Sequence, residues 1–182
     1  AQAGTSLYFI KADAVTLGTI QAGVDAGVSN LSGNMTVGTV QSGNAVSLSS
    51  GGSIYDGNAG ANNITTGTAS LTAGMDIGLP AEAIETTVDT LNAATTAGEM
   101  NFDENDAITL NSLTAGTNVT VTTHNSGTMT VNTISAPAGT VTLTVLSGSR
   151  APAAGSILAG EVEGVNITAL NAILSAMGQI GT

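Results

Sequence analysis

Three acids within four residues, Asp103, Glu104 and Asp106, form the densest cluster of ionisable groups in the chain, with Asn101 and Asn105 beside them. Two carboxylates facing one sugar ring could cleave a glycosidic bond. The same oxygens could collect calcium, which takes about six to eight oxygen ligands. The corresponding earlier segment, IKADA (10–14), keeps only Asp13. The cluster is therefore read as a solvated turn between strands, with surface calcium as the alternative. His124 is the only histidine and there is no cysteine, so a multi-histidine or thiolate metal site is excluded. A Ser–His–acid triad lacks the G-x-S-x-G elbow that would present its nucleophile, and HNSG (124–127) reads as a turn. GNAG (57–60) lacks the spacing and the following lysine of a phosphate loop. Tyr8 and Tyr55 fall in different parts of the sequence and are read as wall residues rather than a sugar-stacking platform. No catalytic, cofactor-binding or metal residue is assigned.

Composition supports that result. Charged residues make up 8% of the 182, against about 25% in an ordinary domain. Only Lys11 and Arg150 are basic, and the formal net charge is −11. Nucleic acid and anionic lipid are repelled by such a surface. No apolar run approaches the ~18 residues that span a bilayer, and no secretory leader is visible. The Thr, Ser, Asn and Gly richness points to an extracellular setting. The sequons at Asn30, Asn34, Asn63, Asn118 and Asn166 matter only where the source glycosylates them.

What must position these residues is a repeat at two levels. DAVTLGTIQAG (13–23) matches DAITLNSLTAG (106–116) at an offset of 93, and Phe9 and Phe102 pair at the same offset. GNMTVGTV (33–40) matches GTMTVNTI (127–134) at 94. GSI (52–54) recurs at 155–157, and ITTGTASLTAGMDIG (64–78) matches ITALNAILSAMGQIG (167–181), both at 103. An insertion, TVLSGSRAP (144–152), accounts for the growth and carries Arg150. The chain divides into unit 1 (1–93) and an incomplete unit 2 (94–182), joined in one rod. Inside each unit a shorter period of 20 or 21 appears: VTLGTIQAG (15–23) returns as MTVGTVQSG (35–43).

Each short segment alternates apolar residues with Thr or Ser, as in Val15, Leu17, Met35 and Val37. That is a strand signal, and Gly and Asn punctuate the segments as turns. A ~20-residue unit cannot bury its apolar face alone; stacking on its neighbours does so. The expected fold is an all-β parallel β-helix of about nine coils of roughly 20 residues, ~40 Å long at the strand spacing, with a core narrow enough to explain 2% aromatics. A competing reading draws a helix near 82–91, where Ile84, Val88 and Leu91 show helical spacing.

The segments GSIYDGNAGANNITTGTASLTAGMDIG (52–78), PAEAIETTVDTLNA (80–93) and APAGTVTLTV (136–145) resemble the repeats of filamentous haemagglutinin-like bacterial surface exoproteins and adhesins. The residues carrying the resemblance are Ile64, Leu71, Ala73, Ile77 and Gly78, then Glu85, Thr86, Val88, Leu91 and Ala93. It implies a right-handed β-solenoid shaft, secreted and displayed at the cell surface; with no catalytic groups found in the residues, the expected role is structural, without enzymatic activity or a cofactor. The expected partner is the protein itself, as a longer chain or by end-to-end stacking of open coil edges, with a host or neighbouring cell surface beyond it. Alternatives are a self-assembling extracellular filament, a calcium-dependent surface lattice, and a carbohydrate-active or carbohydrate-binding β-helix.

Overall fold

The computed structural model describes residues 1–125, 127–146, 154–161 and 164–181. Its fifteen strands are β1 (Gln2–Ala3), β2 (Leu7–Lys11), β3 (Val15–Ala22), β4 (Asp25–Asn30), β5 (Met35–Ser42), β6 (Ala45–Ser50), β7 (Ile54–Asp56) and β8 (Ile64–Ala73), then β9 (Ile84–Thr95), β10 (Met100–Glu104), β11 (Ile108–Thr114), β12 (Val119–Thr123), β13 (Met129–Val145), β14 (Ile157–Ala159) and β15 (Ile167–Ser175). All named strand pairs are parallel, and each strand bonds to strands about one coil away in sequence. The fold is a parallel β-helix. Among the described residues no helix occurs, and none is long and apolar enough to cross a membrane.

The register turns the alternation into continuous inward columns. One runs Val15–Met35–Ile54–Ile77–Met100–Val119–Val141–Ala172. Another runs Phe9–Val28–Leu48–Leu71–Ala93–Leu113–Ile134–Ile167. The middle of each column is fully buried, as at Met35, Ile77 and Met100. Burial of such side chains contributes roughly 1.5–3 kcal/mol each.

The first column takes seven steps, so the chain makes about seven turns rather than nine. Two causes lengthen the coils. The steps from Ile54 to Ile77 and from Ile77 to Met100 are 23 residues each, because extra residues at 57–63 and 79–83 bulge from the wall. The last step, Val141 to Ala172, is 31 residues and contains the insertion. Arg150 lies outside the described residues. At the strand spacing, seven steps make a stack roughly 34 Å long.

No helix forms at 82–91: residues 84–91 belong to the strand β9, and Glu82 makes an isolated bridge with Leu79. Ile84, Thr86 and Val88 point inward by alternation; Asp89 and Thr90 both lie on the outside at a corner, and Leu91 and Ala93 point inward again. One extra outward residue at a corner therefore imitates helical spacing. Thr86, Thr87, Val88 and Thr90 are β-branched and suit the strand.

The repeat also acquires a geometry that alignment does not contain. Met35 stacks between Val15 and Ile54, but its equivalent, Met129, stacks between Ile108 and Ile157. Ile64 stacks above Val40, while its equivalent Ile167 joins the column of Leu71. In the first column, Met35 is at the second level and Met129 falls between Val119 and Val141. The two units are thus related by about four and a half turns, and equivalent sequence sits on different sides of the core.

Candidate functional site

Strand alternation splits the acidic cluster. In β10, Met100, Phe102 and Glu104 share the inward side and Asp103 points outward. Asp106 stands on the following turn, which begins at Asn105. Among the described residues, no group of three or more His, Asp or Glu side chains is arranged to hold a metal ion.

Asp103 lies beside two partners from adjacent coils. Its register neighbour in β9 is Glu85. From the coil on the other side, His124 follows β12 and places Nε2 2.5 Å from Asp103 Oδ1. With Asn62, Thr87, Asn105 and Gly60, these three line an open groove of about 380 Å³. The bulge at 57–63 forms its wall. Asn63 anchors that bulge: it is fully buried, and its amide donates to Val37 O, Gly38 O, Asp56 Oδ1 and Asn58 Oδ1, while its Oδ1 accepts from Glu85 N.

Burial raises the Glu85 carboxyl above its ordinary value; Asp56 and Asp103 add like-charge repulsion, and a bond from its own backbone opposes them. The groove thus holds one carboxylate paired with an imidazole and a second with an elevated proton affinity. Among the described residues, the His124 ring is hydrogen-bonded to the Asp103 carboxylate. This is an acceptor-rich polar groove.

Glu104 lies behind the groove wall, in the core. It occupies the inward column Ile20–Val40–Ile64–Thr86–Glu104–Thr123–Val145, where three apolar residues give way to Thr–Glu–Thr. Its exposure is 0%. Thr86 Oγ1 donates to Oε2 at 2.7 Å, and the backbone N–H groups of Asn105, Val88 and Asp106 approach Oε1 at 3.0, 3.3 and 3.4 Å.

Tyr8 is 66% exposed, its ring packed over Gly27 and its hydroxyl donating to Asp25 Oδ2 at 3.3 Å; Tyr55 is half-buried in β7. The two tyrosines form no common platform. The sequons at Asn30 and Asn63 are buried and serve the fold.

Of Asp103, Glu104, Asp106 and His124, which the sequence singles out, the structure pairs the side chains of Asp103 and His124, while Glu104 meets the backbone N–H of Asp106. Glu85 and Asn62 were missed, because only the register reveals that they share a groove with residues about 20 and 40 positions later. The inward turn of Glu104 did have a signal: it follows Met100 and Phe102 at steps of two.

No protein-family model, no curated protein and no solved structure matches this chain.

Proposed function

We propose that this chain is a non-enzymatic shaft segment of a large secreted bacterial cell-surface protein of the adhesin type. The observation that carries the reading is the continuity of the inward columns through about seven turns. Neighbouring coils are bonded along parallel ladders, and the inward column from Val15 to Val141 is apolar at every step. Such a stack resists bending and proteolysis, because opening one coil breaks ladders on both sides. The acidic, hydroxyl-rich coat limits lateral association. The resemblance to haemagglutinin-like repeats supports the setting at the cell surface.

A second reading is a filament of short chains stacked end to end, held by the same parallel ladders that join the coils within this chain.

Electron microscopy of the native material, with the mass of the denatured polypeptide, tests both. Rods made of one very large polypeptide support the shaft. Long filaments of short chains establish the second reading instead. Compact particles without rods overturn both.

A further inference from the structure

A carboxyl group in a core column needs an account that the shaft reading does not supply. Glu104 is sealed from solvent between Thr86 and Thr123 at the junction of β9, β10 and β12. The charged and titratable groups around it are one-sided. On its own segment stand Asp103 and Asp106; from β9 comes Glu85, beside Thr86; from the β12 side comes His124, whose ring is engaged by Asp103. Among the described residues, no lysine or arginine pairs with any of them.

The hydrogen bonds fit either protonation state. A neutral carboxyl can give its proton to Thr86 Oγ1 while Oε1 accepts from Asn105 N and Val88 N; a carboxylate accepts from all of them, with the Thr86 hydroxyl reversed. What separates the states is burial without a counter-charge. Burial pushes the group up to about 7, Asp106 adds repulsion, and the bonds from Thr86, Asp106 N and Val88 N pull the other way.

We infer that Glu104 is a proton-operated latch: the three coils close on the neutral carboxyl and loosen around the charged one. The proton affinity is higher in the closed form than in the opened one. The latch is therefore fully engaged below the ordinary carboxyl range and is lost as pH rises through neutrality. The seam that loosens is the one made by the amides of Val88, Asn105 and Asp106. The latch gives the middle of the rod a pH-dependent stiffness that the flanking coils, with apolar residues in the same column, lack.

Amide hydrogen exchange of the full 182-residue chain tests this, at about pH 5.5 and 8.0 and corrected for intrinsic rates. The opening constant at Val88, Asn105 and Asp106 should rise about 30-fold between the two. That ratio follows for a carboxyl held near 7 when closed and at 4.5 when opened. The amide of Val46, in a distant coil, should change little. In Glu104→Gln, which keeps the shape and cannot ionise, the rise should shrink to within about twofold. An equal rise in Glu104→Gln, or a flat response in the parent chain, overturns the latch. Carbon-13 titration of the Glu104 carboxyl in the parent chain decides the matter even where the variant fails to fold: a midpoint near neutrality supports the latch, and one in the ordinary carboxyl range refutes it.

Discussion

Asn63 and Asn166 make the same pair of bonds at different places around the core. The Asn63 amide donates to Val37 O and Gly38 O at 2.8 and 3.1 Å; the Asn166 amide donates to Val131 O and Asn132 O at 2.9 and 3.0 Å. Each asparagine ties the start of a strand to the coil before it, on either side of the half-turn offset between the units.

Replacing Asn63 should therefore be among the costliest changes in the chain. Asn63→Ala takes the Oδ1 acceptor from the Glu85 amide and removes one donor each from Val37 O and Gly38 O, which keep Gly57 N and Asn58 Nδ2. A buried group left without its partner costs about 1–3 kcal/mol and each lost bond about 1 kcal/mol. Asn63→Asp should be worse, since a carboxylate cannot donate to carbonyls and stands beside Asp56. Urea unfolding should show a loss of at least about 2 kcal/mol for both. A loss below about 1 kcal/mol would mean that the bulge is not anchored through this residue.

Gly78 and its equivalent Gly181 both carry positive φ, 66° and 103°. At Gly78 an added Cβ would also fall 2.4 Å from Asn101 O in the next coil. Gly78→Ala combines a left-handed backbone penalty of about 1–2 kcal/mol with overpacking, so a loss of more than about 2 kcal/mol is expected. Gly18 is the control. Nothing lies within 4 Å of its Cβ position, and Gly18→Ala should be neutral or stabilising by up to about 1 kcal/mol. Thermal unfolding of the two variants side by side checks the contrast.

The short contact between Asp103 and His124 should contribute little to stability. Their side chains are 37% and 42% exposed, and pairs this open are worth about 0–1 kcal/mol. His124→Asn should lower the melting temperature by no more than a few degrees. A larger loss would show that the groove wall depends on the imidazole.

Much of this architecture is legible in the residues. The alternation of Val15, Leu17, Met35 and Val37 specifies inward columns, and the 20-residue return of VTLGTIQAG specifies stacking. Two things are not legible. The corner at Asp89–Thr90 adds one outward residue, which makes Ile84, Val88 and Leu91 look helical. The coil length drifts between 19 and 23 residues along the first column before the final step, so no single period predicts which residues become lateral neighbours. Glu85 meets Asp103 and His124 only through that register. The acidic cluster misleads for the opposite reason: Asp103 and Glu104 are adjacent in sequence and therefore face opposite sides of the wall.

Thr86→Val probes the Thr–Glu–Thr break from its other member. Valine keeps the volume and β-branching but removes the hydroxyl that donates to Glu104 Oε2. The neutral carboxyl loses an ordinary hydrogen bond, worth about 1 kcal/mol. The carboxylate loses a charge-assisted one, worth about 1.5–3 kcal/mol. Because the bond from Thr86 lowers the proton affinity of Glu104, its removal should move the Glu104 midpoint to higher pH. The sign for stability follows: the variant should be mildly destabilised at pH 5.5 and more strongly at pH 8, which steepens the decline with rising pH. Denaturant unfolding at the two pH values reads this directly. Equal losses at both would show that Thr86 does not distinguish the charged from the neutral carboxyl.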